Sequence, residues 1–300
     1  MQRRADLWSW ALWMPGVFVV IWSTGFIVAR YGMPNAPPLT FLAWRYVFSL
    51  LFFVPWVLLA RVAWPRSAAQ WWHLGVTGVF MHAGYLGGVW AAVKAGMGSG
   101  LVALIVGLQP VLTAAWESSR TGTVTRRQWL GLCLGFAGLV LVVGHKLGAG
   151  GEATAWNVGL ALLALASITV GTLYQKRFVQ PCDVRSANAV QLLVALGVTL
   201  PFLVWETEPM HWLRASGVVN GELIGALAWS VLGLTVGGSS LLFVLIQRGA
   251  ATQVTSLLYL VPPTTAAMAW VLFAEPVTVL TCIGTLLTAA GVSLVIKHKG

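Results

Sequence analysis

Ten long apolar stretches occupy almost all of this 300-residue chain, near residues 12–29, 39–60, 71–93, 98–116, 128–144, 156–175, 187–205, 222–246, 252–273 and 277–296. A run of about 18 or more apolar residues has the length of a helix that crosses a bilayer. Lipid offers the backbone no hydrogen-bond partner, so such a run forms a helix, which satisfies its own N–H and C=O groups. The connections are mostly a few residues long and leave no room for a soluble catalytic domain. Only 9% of the residues are charged, against about 25% in a soluble domain.

The stretches repeat. Gly96, Pro110, Gly131 and Gly138 have counterparts 153 positions later in Gly249, Pro263, Gly284 and Gly291. A second register, of 146, pairs Gly25 with Gly171 and Pro55 with Pro201. The chain reads as two copies of one unit, residues 1–147 and 148–300, with five spans in each. An odd number of spans turns the second copy over in the membrane. Repeats related in that way, by a two-fold axis in the membrane plane, are the basis of alternating access. The expected fold is an all-α membrane protein with ten transmembrane helices, arranged as two inverted five-helix repeats around a central cavity.

The formal net charge of +10 raises the question of nucleic acid, and the placement of the charge answers it. With a cytoplasmic N-terminus, thirteen cations fall inside: Arg3, Arg4, Arg61, Arg66, Arg120, Arg126, Arg127, Lys176, Arg177, Arg185, Arg248, Lys297 and Lys299. Arg30, Lys94, Lys146 and Arg214 fall outside. Short cytoplasmic loops collect Lys and Arg, so the charge reports orientation and no nucleic-acid partner is expected. The acids run the other way, with Glu152, Glu206, Glu208, Glu222 and Glu275 outside. Arg3 and Arg4 precede an apolar stretch as in a signal peptide. No convincing cleavage site follows, so that stretch is read as a retained span. Cys133, Cys182 and Cys282 form no paired framework.

Ionisable groups within a membrane are costly and point to function. Arg45 lies about two turns from the outer end of the second span, and His82 lies near the middle of the third. Arg45 offers a fork suited to a carboxylate or another anion. It also fits a structural role, bonded to helix-end carbonyls or snorkelling outward. Its counterpart in the second copy is Gln191. His82, whose counterpart is Thr235, is open to three readings: carrier of a coupling proton, substrate contact, or neutral packed side chain. No Asp or Glu lies deep in a span, which favours facilitated export or exchange over proton coupling. Ser23, Thr24, Tyr85, Gln109, Tyr174, Thr235, Ser239 and Tyr259 complete the candidate substrate contacts. Taken singly, each of these fits a plain helix–helix hydrogen bond better than a ligand contact, and their concentration near the repeat axis is what points to a site.

Pro110 in the fourth span, and Pro262 with Pro263 in the ninth, fall mid-span. Proline there removes a backbone bond and kinks the helix, which makes these three the expected kinks or hinges. Gly131, Gly135 and Gly138 form a small-residue stripe on the fifth span, matched by Gly284, Thr288 and Gly291 on the tenth. Such stripes let helices approach closely, either each other or a second subunit. The run Gly96-Met97-Gly98-Ser99-Gly100 lacks the Lys-Ser/Thr ending of a phosphate loop and is read as a tight turn. Most of the seventeen tryptophans flank spans, as an aromatic belt does.

Several segments, taken in order, carry a resemblance. They are Trp22-Ser23-Thr24-Gly25-Phe26, Pro37-Pro38-Leu39-Thr40 followed by Arg45-Tyr46, Gly107-Leu108-Gln109-Pro110 and Arg127-Gln128-Trp129-Leu130-Gly131. The second half adds Gly171-Thr172-Leu173-Tyr174-Gln175-Lys176-Arg177, Pro262-Pro263 and Ala274-Glu275-Pro276. Over nearly its full length the chain resembles the drug/metabolite transporter superfamily, specifically the ten-span EamA-type members. The resemblance implies an exporter or exchanger of small organic solutes such as amino acids, nucleosides or drug-like compounds. It implies a basket of helices around a central cavity, with the fifth and tenth helices to one side, and an arginine at position 45 whatever the substrate. One departure is Gly122-Thr123, where the family pattern has an acid like Glu275.

The expectation is a secondary transporter working by alternating access, a multi-pass protein of a bacterial inner (plasma) membrane with both termini cytoplasmic. Its partners are a small organic solute and the lipid bilayer, with proton coupling and oligomeric state left open. Metalloprotease, nucleophile-elbow and P-loop signatures are missing from the sequence. No enzyme, catalytic residue, cofactor or metal site is therefore expected. A non-transporting sensor or assembly subunit is the main alternative, and it predicts a closed apolar centre near His82 and Gln109. A membrane-embedded enzyme is the other.

Overall fold

The computed structural model describes residues 2–121, 126–148, 153–247 and 260–296. Tyr259, Gly249, Arg248, Lys297, Lys299, Glu152, Gly122 and Thr123 lie outside the described residues. The described chain is helical: α1 (Gln2–Gly32), α2 (Pro38–Leu59), α3 (Ala68–Lys94), α4a (Ser99–Val106), α4b (Gln109–Thr121), α5 (Arg126–Gly148), α6 (Ala155–Phe178), α7 (Val184–Thr199), α8 (Gly221–Gln247 in three pieces), α9 (Val261–Phe273) and α10 (Val279–Ile296). Among the described residues, five helical segments are long and apolar enough to cross a bilayer. They are Pro38–Leu59, Ala68–Lys94, Ala155–Phe178, Val184–Trp205 and Gly221–Phe243. Five further apolar segments, of 10–17 residues, lie in α1, α4, α5, α9 and α10.

Local chemistry sets the helix starts. Ser67 accepts from the Gln70 amide at 3.1 Å and opens α3. Thr154 and Asn157 form a reciprocal capping box at α6, with bonds of 2.8 and 3.2 Å. Asp183 caps α7 and Asn220 caps α8. At α2 the cap position is Pro37 and the first helical residue Pro38, so neither supplies a capping side chain. The carboxylate of Glu206 does so instead, accepting from the amides of Leu39 and Thr40, both at 2.7 Å. Glu275 does the same for α4a, where the cap residue is Gly98. It accepts from the Ser99 amide at 3.0 Å, the Ser99 hydroxyl at 2.9 Å and the Gly100 amide at 3.3 Å.

These two acids belong to a set of ties at one end of the bundle. Lys94 pairs with Glu208 at 2.7 Å and donates to the Met33 carbonyl at 3.2 Å. Asn220 Nδ2 donates to Asn35 Oδ1 at 2.8 Å, and the His211 amide donates to the Asn35 carbonyl at 2.8 Å. At the opposite end Gln70 and Gln180 exchange two bonds of 2.9 and 3.2 Å. The turn between α3 and α4a holds Gly96 at φ 91°, a left-handed conformation that favours glycine.

Three irregularities interrupt the helices. A π turn spans Val79–Gly84 within α3, and another spans Ser230–Ser239 within α8. The helical stretch from Ser99 to Thr121 is broken at Gly107 and Leu108. Pro110 therefore stands in the first turn of α4b, and Pro262 and Pro263 stand in the first turn of α9. In a first turn the missing proline N–H has no helical partner to lose. Pro110 thus opens a helical piece rather than bending a continuous one, while residues 251–259, which precede Pro262 and Pro263, lie outside the described residues.

The glycine stripes of α5 and α10 face each other. A Cβ on Gly138 would lie 2.5 Å from the Gly284 carbonyl and 2.7 Å from Thr288 Oγ1. A Cβ on Gly291 would meet the Gly131 carbonyl, and would lie 2.5 Å from the Gly135 amide. The backbones therefore touch where only glycine fits. A second close approach joins Gly25 to Leu234, at 3.7 Å, and Gly171 to Met81, at 2.7 Å from the same constructed atom. Large apolar side chains such as Leu51, Leu193 and Leu286 remain more than half exposed. A surface of that kind, extended over the bundle, suits lipid and not water.

Candidate functional site

A cavity lies among α1, α2, α3, α6, α7 and α8. Its walls are mostly apolar, from Trp22, Phe26, Leu86, Val89, Trp90, Ile168, Leu234, Leu242 and Phe243. The polar groups are few: Arg45, His82, Tyr85, Gln175, Gln191 and Ser239. An apolar pocket with a handful of placed polar groups is the usual form of a small-molecule site.

Arg45 is 3% exposed and its Nε donates to Thr235 Oγ1 at 3.0 Å. The Thr235 hydroxyl in turn donates to the Ser230 carbonyl five residues back, at 2.9 Å, the spacing of the π turn it sits in. The other end of the guanidinium is not satisfied, since Nη1 is buried without a hydrogen-bond partner. The neighbours of the Arg45 charge are the hydroxyls of Tyr46 and Tyr85, and the His82 ring lies within its field. Among the described residues no Asp or Glu lines this cavity.

His82 sits in the π turn of α3, with its carbonyl accepting from the Tyr46 hydroxyl at 3.0 Å. Its imidazole has the Gln191 side chain as a hydrogen-bonding neighbour. Gln191 Nε2 is buried and has no partner. Two buried donors, Arg45 Nη1 and Gln191 Nε2, thus remain unpaired in side chains that line one pocket. Orphaned buried donors cost about 1–3 kcal/mol each, and such groups call for an explanation.

These contacts cross between pairs of residues that stand 146 or 153 positions apart in the sequence. Arg45 meets Thr235, the counterpart of His82, while Gln191, the counterpart of Arg45, meets His82. The same crossing occurs at Gly25 with Leu234 and Gly171 with Met81, where Met81 and Leu234 are counterparts. It occurs again at Gly138 with Gly284 and Gly291 with Gly131.

Of the residues singled out from the sequence, Arg45, His82, Tyr85 and Ser239 line the cavity, and Thr235 holds Arg45. The structure places Ser23, Thr24, Gln109 and Tyr174 elsewhere. Ser23 is buried with its hydroxyl 3.5 Å from the Val261 carbonyl, between α1 and α9. Thr24 donates to the Ile21 carbonyl at 2.6 Å and accepts from Trp229 Nε1 at 2.9 Å. Gln109 donates to Thr172 Oγ1 at 3.0 Å and ties α4b to α6. Tyr174 bonds His73 Nδ1 at 2.8 Å and faces a separate groove with Trp116, Trp129, Arg177 and Phe178. Tyr259 lies outside the described residues. Sequence reasoning passed over Gln191 and Gln175 as contacts. The signal for Gln191 was its repeat relation to Arg45. Among the described residues no His, Cys, Asp and Glu cluster could hold a metal ion.

Comparison with known proteins gives a consistent picture. The profile of the EamA-like transporter family matches the chain twice, over residues 8–144 and 155–297. A Salmonella typhimurium protein described as a probable amino-acid metabolite efflux pump is 26% identical over 280 residues, covering 91% of this chain and 90% of its own. The Bacillus subtilis uncharacterized transporter YvbV is 25% identical over 287 residues, 92% of this chain and 88% of that one. The Escherichia coli K12 uncharacterized inner membrane transporter YedA is 25% identical over 253 residues, 83% of this chain and 74% of that one. A protein solved by crystallography superposes with a TM-score of 0.64 over 94% of this chain and 95% of its own, at 19% identity, which speaks to the fold alone.

Proposed function

The chain belongs to the EamA-like transporter family, and we propose that it is a secondary transporter that exports or exchanges small organic solutes by alternating access. As a member of that family it is an integral membrane transporter rather than an enzyme. The proposed architecture is two inverted five-helix repeats, residues 1–147 and 148–300, with ten spans and the solute held in the cavity of Arg45 and His82.

The observation that carries this reading is the crossed pairing. If a two-fold axis in the membrane plane relates the halves, a contact from α2 to α8 must be matched by one from α7 to α3. Arg45 with Thr235 and Gln191 with His82 are such a pair. Two halves related in this way can trade conformations, and the trade moves the opening of the cavity from one side to the other. A sensor or assembly subunit would need a closed apolar centre near His82 and Gln109; the cavity at His82 counts against it, although Gln109 does not line that cavity. With no acidic lining residue described, facilitated movement or exchange is favoured over proton coupling. The name of the Salmonella relative supports an amino-acid-like or metabolite solute, moved outward across an inner membrane.

The test is counterflow in proteoliposomes across a metabolite panel, with and without an imposed pH gradient. Movement of at least one solute without ATP is expected, with no response to the gradient. A protein that moves none of a broad panel is not a transporter of this kind. Side-specific cysteine labelling at positions 127 and 185 checks the topology. Both should react from the cytoplasmic side, and opposite sides would rule out the inverted repeat.

A further inference from the structure

The chemistry of the cavity goes further than a generic solute. This step rests on the cavity being the solute site, and it concerns which solutes fit. Arg45 Nη1 and Gln191 Nε2 are the unpaired buried donors of the lining, and both belong to side chains 3% exposed. The guanidinium keeps its charge, and no carboxylate among the described lining residues neutralises it. A buried charge without a partner is costly until an opposite charge arrives with hydrogen-bond acceptors. The rest of the lining is aromatic and aliphatic, with Trp22, Phe26, Trp90 and Phe243 prominent.

We propose that the cavity takes a monocarboxylate with an apolar body, its carboxylate bound between Arg45 Nη1 and Gln191 Nε2. Both carboxylate oxygens are acceptors, which matches two donors that lack acceptors. The apolar body lies against Trp22, Phe26 and Trp90. A free ammonium group gains no carboxylate partner among the described lining residues. Cations are therefore excluded and zwitterions bind less well than the corresponding simple acids.

Four probes of one shape separate the possibilities: 3-phenylpropionate, its neutral amide, 3-phenylpropylamine and phenylalanine. Binding to the full chain in detergent is read from tryptophan fluorescence, since Trp22 and Trp90 line the site. The acid is expected to bind at least about 10-fold more tightly than the amide, the scale of a charge-assisted bond in a desolvated site. The amine should not bind, and phenylalanine should bind more weakly than 3-phenylpropionate. Arg45→Gln should abolish the preference of acid over amide. The comparison of acid with amide on the unaltered protein stands even if that variant fails to fold. Equal binding of acid and amide, tighter binding of phenylalanine, or no binding of the acid up to its solubility overturns the proposal. Flux of the same probes in proteoliposomes is measured separately. Acid-selective binding without flux supports this inference and removes only the transport reading. Flux across the panel with no preference for the acid removes this inference and leaves transport standing.

Discussion

Thr235 Oγ1 accepts the Nε hydrogen of Arg45 at 3.0 Å while donating to the Ser230 carbonyl at 2.9 Å. One hydroxyl thus joins α2 to α8 and fixes which face of the guanidinium is free. Thr235→Val keeps the shape and removes both bonds. It leaves Arg45 Nε buried without a partner, at an expected cost of about 1–3 kcal/mol. Thr235→Ser retains the hydroxyl and should stay close to the unaltered protein. Thermal unfolding in detergent checks the pair, and a valine variant as stable as the serine one would refute the assignment.

Removing a carboxylate cap has a smaller and separable effect. Glu275→Ala loses the acceptor of two amides and one hydroxyl at the start of α4a. A lost cap costs about 0.5–2 kcal/mol. Glu275→Gln keeps an acceptor and loses only the attraction of an anion to a helix N-terminus, about 0.3–1 kcal/mol. The order of melting temperatures should be Glu, Gln, Ala from highest to lowest. A glutamine variant below alanine would contradict the capping role.

Contact between α5 and α10 depends on the absence of side chains. Gly138→Ala places a methyl group where the Gly284 carbonyl and Thr288 already sit. It should destabilise by about 1–3 kcal/mol, the scale of overpacking. Gly144, on the same helix, has nothing within 4 Å of a constructed Cβ. Gly144→Ala should be neutral or stabilising by up to about 1 kcal/mol, the helix-propensity gain. Equal effects of the two substitutions would show that the close packing is not what holds these helices together.

The cap of α7 makes stability depend on pH. Arg185 donates to both oxygens of Asp183, at 2.9 and 2.8 Å, and these bonds hold its carboxyl below the usual carboxylate range. The unfolded chain has no such bonds, so there the group titrates near its ordinary value, about 3.9. A folded value below the unfolded one gives a contribution that is complete above the unfolded value. It is lost as pH falls through the folded value. Asp183→Asn should therefore be less stable than the unaltered protein near neutral pH. The gap should close below about pH 4. Melting curves across that range test it, and a gap that widens in acid would reverse the sign.

Much of the helical plan was legible, and the reasons are particular. Apolar length marks a helix in lipid, so the expected span 39–60 and the helix Pro38–Leu59 nearly coincide. The stripe of Gly131, Gly135 and Gly138 left two partners open, another helix or another subunit, and the structure pairs it with α10. The prolines were harder. Pro110 and Pro263 signal a lost backbone bond, but not whether a helix bends or restarts, and the break came at Gly107 and Leu108. In the site, charge made Arg45 and His82 visible. Gln109 and Tyr174 are polar for the sake of Thr172 and His73, and only geometry separates such a tie from a ligand contact. Gln191 looked ordinary because an uncharged amide in a span carries no obvious cost.

The caps that Glu206 and Glu275 supply are made chiefly to main-chain amides. Every residue type except proline offers that donor, whatever its side chain. Substitutions at Leu39 or Gly100 leave these amide donors in place, whereas a change at either acid acts on the clasp directly. Constraint on this face therefore falls unevenly, on single glutamates in one half and on almost nothing in the stretches they grip.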